Sequence, residues 1–545
     1  MFKVRHCDLL GRVGELRTRR GRLETPALLP VVNPSKQLIS PRELREMGFE
    51  AITTNAYLLM KSMREELLTK GLHKALGFEG IIMTDSGAYQ LLVYGRVDVS
   101  PDEIVDFQVK IGSDIAVILD VPTGYPAARS RAEFTVEETL RRAKGLFELE
   151  RGESLWVGPI QGGTWLDLVS SCAREMAKLP FDLYALGSPT KIMEQYMFDV
   201  LTDMIIAAKL HLPPGKPFHL FGAGHPMMLP LAVGLGCDTF DSASYALYAR
   251  QGRYMLETGT LRIEDLDYLP CSCPVCSRLT AKELREMPKP EAEGMLAKHN
   301  LYICLAELKK VKQAIKEGRL WDLIEARGAQ HPSMTSALRK MASLAPLLEK
   351  GTPISKPRGL LLPSPLSTLR PEVHRFRKRV VERLPFNRPV LLLIPPPPTT
   401  PFSRSKAVKA FLKRLFSLLD NGLDLVDICI YATPLGVVPL ELDETYPASQ
   451  HIPAKVLKEE LEEASAAQVA SIIDRGGFKL VVYLHDPSLK GLVYTYALKS
   501  CLKKGVAFRP LMPSALPWSR EVVEEVVSLI KAFVGDVQTT PPSSS

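Results

Sequence analysis

The chain has no run of 18 or more apolar residues in its 545, so it lacks a segment able to cross a bilayer as a helix. Its opening stretch, MFKVRHCDLLGRVGEL, has no apolar core of signal-peptide length. These two absences exclude a helical membrane protein and lead us to expect a cytoplasmic one. Cysteine is sparse and scattered, nine residues with one tight cluster, which excludes a disulfide-framed scaffold. The ten histidines do not gather at strand ends, as the open metal site of a barrel hydrolase would require. Charge imbalance is small. A net +8 favours a polyanionic partner only mildly and fits a slightly basic soluble enzyme equally well. The length predicts two or three domains.

What the sequence does contain is a repeated ending. Eight apolar runs each stop in a polar segment, six of them with Gly or Pro: ALLPVVNP, AITTNAY, GIIMTDSG, IAVILDVPT, SLWVGPIQGG, FDLYALGS, PFHLFGAG and CDTFDSAS. Successive runs lie roughly 20–40 residues apart, one strand plus loop plus helix. Eight such units predict an α/β fold, a (β/α)8 TIM barrel whose active site is built from the loops after the strands. The endings place Asn55, Asp85, Asp120, Gln161, Gly187, His225 and Asp241 at that face. Residues 1–22 read as a hairpin capping the barrel. The expected layout is a catalytic barrel over 1–340, a helical and linker region over 341–385 and a smaller C-terminal α/β domain over 386–535. The Pro/Ser/Leu-rich residues 352–370 read as the linker, and 536–545 as a disordered tail. The smaller domain carries strand-like VLLLI, DICIYA and KLVVYL between helical patterns, which predicts a parallel sheet.

The cysteine cluster is C-x-C-x2-C followed by a histidine: Cys271, Cys273, Cys276 and His299. Thiolates and imidazole suit tetrahedral zinc, and four protein ligands leave no open position, so one structural Zn2+ is expected within a subdomain at about 265–305. A reduced, buried cysteine cluster is the alternative. Cys304 competes with His299 for the fourth position.

The motifs MTDSGAYQ, VILDVPT, GPIQGG, HLFGAGHP and CDTFDSASYALYARQGRYM, followed by the cysteine knuckle, resemble the tRNA-guanine transglycosylases. FGAGHP and TPLGVVPLELDETYPASQH resemble the archaeal branch. The resemblance covers nearly all of 1–335 and is weaker over 390–500. It implies a pentosyltransferase that exchanges guanine-15 of the tRNA D-arm for 7-cyano-7-deazaguanine (preQ0), a step toward archaeosine. Asp85 and Asp241 match the family's catalytic pair. A carboxylate attacks C1′ and holds a covalent ribosyl-enzyme, while a second carboxyl protonates the leaving base and deprotonates the incoming one. We favour Asp241 as nucleophile and Asp85 as acid/base, with the reverse assignment open. Either aspartate alone also fits a helix cap. Asp120 resembles the base reader, since a carboxylate accepts the paired N–H donors of a guanine-like edge and rejects adenine. Ser86, Gln161, Gly187 and Ser188 match positions lining the pocket. Tyr89 and Met255 are candidate stacking partners, or simply core; His225 reads as a turn former.

The tRNA partner calls for phosphate contacts. Arg250 and Arg253, beside Asp241, are the preferred candidates. Arg17, Arg19, Arg20 and Arg22 form a second patch. HRFRKRVVER (Arg375, Arg377, Lys378, Arg379) reads as an exposed helix that is either an RNA contact or a solvated charge run. A homodimer is expected from the resemblance. No β-rich run follows about residue 510, so the PUA-type RNA-binding module of archaeal members is expected to be missing or supplied in trans. A guanine-34 enzyme and a non-catalytic tRNA-binding subunit remain the rival readings.

Overall fold

A computed structural model describes residues 2–90, 98–419, 424–454, 458–513 and 517–539, with the backbone alone described at 458–460 and 534–539. Most of the expected tail, 540–545, lies outside the described residues. The chain forms two compact units, Met1–Leu344 with Lys350–Pro353, and Ala345–Glu349 with Ile354–Ser545. Among the described residues no helix is long and apolar enough to cross a membrane.

All eight apolar runs become strands: β4 (Ala27–Pro30), β5 (Ala51–Asn55), β6 (Ile81–Asp85), β7 (Ile115–Val117), β8 (Leu155–Ile160), β9 (Leu183–Leu186), β10 (Phe218–Leu220) and β11 (Thr239–Ser242). They pair in parallel in chain order, and β11 pairs with β4. A parallel bridge between Val31 and Thr53 brings the first strand against the second and closes the ring. The fold is therefore the TIM-type barrel. Its closure removes exposed sheet edges. Strand side chains alternate, so Leu29, Ala51, Ile81, Met83, Ile115, Val117, Val157, Leu183 and Ala185 meet in the interior as one apolar cluster.

The capping segment is one strand larger than a hairpin. Strands β1 (Phe2–Asp8), β2 (Gly11–Arg17) and β3 (Arg22–Thr25) form an antiparallel sheet. Leu16 and Leu23 join the interior cluster from it. They plug the N-terminal end of the barrel and leave the C-terminal end for the loops. After β11 come a helix (Ser244–Arg250), the hairpin β12 (Arg253–Leu256) and β13 (Gly259–Arg262), the cysteine segment, and a long helix, Lys289–Glu317.

The second unit has its own core. Strands β15 (Val390–Ile394), β16 (Val426–Thr433), β19 (Leu480–Leu484) and β20 (Ala507–Leu511) are parallel, with β17 (Gly436–Pro439) antiparallel at one edge. Two expectations need correction here. The stretch read as a linker is partly structured: β14 (Leu360–Leu362) pairs in parallel with β18 (His451–Pro453). Arg370, Glu372 and Lys356 form a buried ion cluster beside it. The helix Pro371–Arg383 is not an exposed basic face either. Arg375 turns inward to Glu349 (3.1 Å), and Arg377 donates to the Pro434 carbonyl (2.9 Å). Burial lowers the Arg377 guanidinium to about 10. Partners distant in the sequence draw these two side chains into the unit.

Candidate active site and metal centre

The strand-end residues meet at one cavity of about 780 Å³ at the C-terminal face, lined by Asn55, Asp85, Asp120, Gln161, Gly187, Ser188, His225 and Asp241. Asp85 closes β6, and Asp241 is the third of the four residues of β11. Asp120 follows β7, and its N–H donates to the Ile118 carbonyl (2.9 Å). Ser86 is buried behind Asp85, outside the lining, and its hydroxyl has no partner among the described residues.

The three carboxyl groups lie on one cavity without a Lys or Arg ion-pair partner among the described residues, although the more distant Arg142 charge acts on Asp120. Among the described residues no lysine or arginine lies within salt-bridge distance of any of them. Burial is the main force raising Asp85 to about 7, and the charges of Asp120 and Asp241 add to it. The Ser86 and Gly87 N–H groups offset this only in part. Burial likewise raises Asp120 to about 6, opposed by a hydrogen bond from Gln161. Asp241 is held differently: its Oδ1 accepts from the Gly222 N–H (2.8 Å) and lies 3.1 Å from His219 Nε2.

Gln161 is held by several bonds. Its Nε2 donates to Asp120 Oδ2 (2.5 Å), while its Oε1 accepts from Thr123 N (3.0 Å) and Ser188 Oγ (2.9 Å). Gly187 makes room for it, since a Cβ there would sit 2.2 Å from Gln161 Nε2. Ser188 holds a left-handed backbone (φ 61°) and accepts from the Gly124 N–H (3.1 Å). These residues orient the Asp120 carboxyl.

The remaining candidates divide. Tyr89 lines the cavity and is half exposed. Met255 is buried beside the cysteine knuckle, outside the lining. Asn55 caps the helix Ala56–Lys70. His225 accepts from the Met227 N–H (3.2 Å), and burial lowers its imidazole to about 4, so it is neutral at pH 7. Arg253 lies over the Tyr248 ring at 4.0 Å and donates to Thr260 Oγ1 (2.7 Å); Arg250 donates to the Lys36 carbonyl. Tyr248 and Lys36 line the cavity, whereas the two arginines flank it. Arg17, Arg19 and Arg22 sit at the opposite, plugged end, paired with Glu15 or Asp114. The sequence reading missed His219. It sits inside an apolar run and gains a partner only through the β10–β11 register, which sets it against Thr239, two residues before Asp241.

The knuckle converges as well. One ligand atom from each of Cys271, Cys273, Cys276 and His299 lies within 4.8 Å of the others, a group able to hold a metal ion. His299 is buried and approaches Cys276 Sγ through Nδ1 (3.3 Å), while its Nε2 bonds the Met255 carbonyl (2.9 Å). That second bond fixes the tautomer with Nδ1 free for an ion. Tyr254 stacks on the His299 ring at 3.6 Å, and its hydroxyl lies 3.2 Å from Cys276 Sγ. Cys304 is not part of the group; its thiol donates to the Gly224 carbonyl (3.2 Å).

Comparison with known proteins supplies the family. The queuine tRNA-ribosyltransferase family model matches residues 7–333, and a domain of unknown function matches 373–491. The tRNA-guanine(15) transglycosylase of Aeropyrum pernix is 42% identical, over 99% of this chain and 99% of that protein. That of Methanocaldococcus jannaschii is 43% identical over 83% of this chain and 68% of its own length. That of Methanopyrus kandleri is 42% identical over 82% and 94%. With the barrel, the cavity and these relatives in hand, the chain belongs to the queuine tRNA-ribosyltransferase family and is a pentosyltransferase.

Proposed function

We propose that this enzyme exchanges guanine-15 in the D-arm of tRNA for preQ0 through a ribosyl ester of Asp241. The observation that carries the reading is the meeting of three carboxyls on one cavity, none in salt-bridge range of a Lys or Arg among the described residues, with Asp85 raised to about 7. Asp241, anchored through one oxygen, attacks C1′ as the glycosidic bond breaks. Asp85, protonated near neutral pH, gives its proton to the departing guanine and takes one from the incoming base. N9 of that base then attacks C1′, and the Asp241 carboxylate leaves. Asp120, oriented by Gln161, accepts the paired N–H donors shared by guanine and preQ0; Gly187 and Ser188 shape the pocket around the base, while Ser86, outside the lining, steadies Asp85 through its N–H. The names of the relatives support guanine-15, whereas the family model's queuine designation keeps guanine-34 as the second reading.

Arg250 and Arg253 contact tRNA phosphates in this reading. One Zn2+ at Cys271, Cys273, Cys276 and His299 would brace the knuckle, where three sulfurs and one oriented imidazole fit a closed tetrahedral site. The enzyme acts as a homodimer, which light scattering tests.

The deciding experiment supplies labelled guanine to tRNA transcripts lacking guanine at position 15 or at position 34. Loss of incorporation only without guanine-15, and chase of the label by preQ0, is the expected result. Loss only without guanine-34 would establish the second reading, and no incorporation into any tRNA would point to a tRNA-binding subunit instead.

A further inference from the structure

We infer that His219 is a positioning residue for the reaction: it selects which oxygen of Asp241 attacks and stabilises that carboxylate in both halves of the exchange. The inference rests on the proposed role of Asp241 as nucleophile. His219 is buried on β10, its ring held from three sides. Nδ1 lies 3.0 Å from Thr239 Oγ1, Nε2 lies 3.1 Å from Asp241 Oδ1, and Phe221 packs edge-on with ring centroids 4.8 Å apart. A carboxylate oxygen accepts only, so Nε2 carries the proton and Nδ1 accepts from the Thr239 hydroxyl. Asp241 thereby sets the tautomer, and the Thr239 hydroxyl steadies the ring from the other side.

The consequence lies in the two oxygens of Asp241. Oδ1 takes both protein donors, the His219 Nε2–H and the Gly222 N–H. Oδ2 has no hydrogen-bond donor among the described residues, and Asp241 faces the cavity. In the first half-reaction the Oδ2–C1′ bond forms as C1′–N9 of guanine breaks, and Oδ1 becomes the carbonyl oxygen of the ester. In the second, N9 of the incoming base attacks C1′, the bond to Oδ2 breaks and its electron pair returns to the carboxylate. Negative charge is therefore lost and regained against the same two donors. They orient the nucleophile going forward and stabilise the leaving carboxylate coming back.

The test compares His219→Phe, His219→Gln, Thr239→Val and Asp241→Asn enzymes. Phe keeps the ring packing against Phe221 but removes both ring nitrogens; Gln restores an N–H donor at the Nε2 position. Rates are measured for formation of the covalent enzyme–tRNA adduct and for its discharge by added guanine, together with tRNA affinity and melting temperature. We expect His219→Phe to slow both half-reactions by roughly 10- to 100-fold, the worth of a hydrogen bond to a charged group, with tRNA affinity unchanged. His219→Gln should recover most of the loss, and Thr239→Val should cost less than His219→Phe. Asp241→Asn should form no adduct. Adduct formation by Asp241→Asn would overturn the assignment of the nucleophile itself. An inactive Asp241→Asn beside a His219→Phe enzyme with near wild-type half-reactions would overturn the inference about His219 alone. A His219→Gln enzyme as slow as His219→Phe would also overturn it, by reducing the histidine to packing.

Discussion

Strands β7 and β11 each carry an aspartate at both ends, and the two ends treat them oppositely. At the plugged end, Asp238 pairs with Arg12 and accepts from the Phe218 N–H (2.8 Å). Asp114 there meets His73 (2.8 Å), the Ile82 N–H (2.9 Å) and Arg19 (3.4 Å). At the mouth, Asp120 and Asp241, with Asp85 beside them, have no Lys or Arg partner among the described residues. Burying a carboxyl costs several kcal/mol unless it is paired or protonated. The plugged end meets that cost with cations and N–H groups, which hold the structure. The mouth leaves it partly unmet, and Asp85 and Asp120 there become protonatable near neutral pH. Pairing with a cation thus separates the acids that brace the barrel from those proposed to do chemistry.

The sharpest way to break this contrast is to neutralise the mouth. Asp241→Asn and Asp85→Asn should each lower guanine exchange by at least about 10³-fold without lowering the melting temperature; a loss of stability instead would make these acids structural. The mirror experiment is Asp238→Ala. Leaving Arg12 buried and unpaired should cost about 3–5 kcal/mol in denaturant unfolding, while the folded fraction keeps its turnover number. A collapse of turnover in folded protein would dissolve the distinction between the ends.

Acidity sharpens the comparison further. The folded carboxyl of Asp85 holds its proton up to about 7, whereas in the unfolded chain it releases it near 4. Folding therefore takes up a proton between those values, and this group's contribution to stability falls as pH rises from about 4 to about 7, then levels off. Asp85→Asn should remove that decline, gaining of order 3 kcal/mol on wild type between pH 4 and pH 8. Parallel stability curves for the two proteins would count against a protonated Asp85. The smallest expected effect is at the flank. Arg253→Ala should weaken tRNA binding a few-fold and lower the salt slope by about 1, with the chemical step unchanged; an unaltered salt slope would remove Arg253 from the interface.

The barrel was legible because its signal is local. Each strand is a short apolar run broken by Gly, Pro or an acid, and eight of them in order leave few other folds. The candidate acids were legible for the same reason, since they end the runs. His219 was not, because it lies within the apolar PFHLF stretch and acquires meaning only from strand register. Arg375 and Arg377 were misread because HRFRKRVVER looks solvated until Glu349 and Pro434 are brought against it. The strand in 352–370 was hidden because its partner, His451–Pro453, lies some ninety residues on, by simple subtraction of the paired positions Leu360 and His451.

Adjacent residues on the long helix divide two tasks. His299 joins the cysteines, and Asn300 reaches the other way, donating to the carbonyls of Tyr245 and Arg253 (3.2 Å each) and accepting from the Met255 N–H (2.9 Å). Tyr245 belongs to the helix that follows Asp241, and its hydroxyl donates to the Val31 carbonyl on the cavity wall (3.0 Å). One turn of helix thus works as a rivet, fastening the knuckle, the hairpin and the wall of the reaction chamber with two neighbouring side chains. A substitution at His299 or Asn300 would therefore reach the cavity wall through this rivet, although neither side chain lines the cavity.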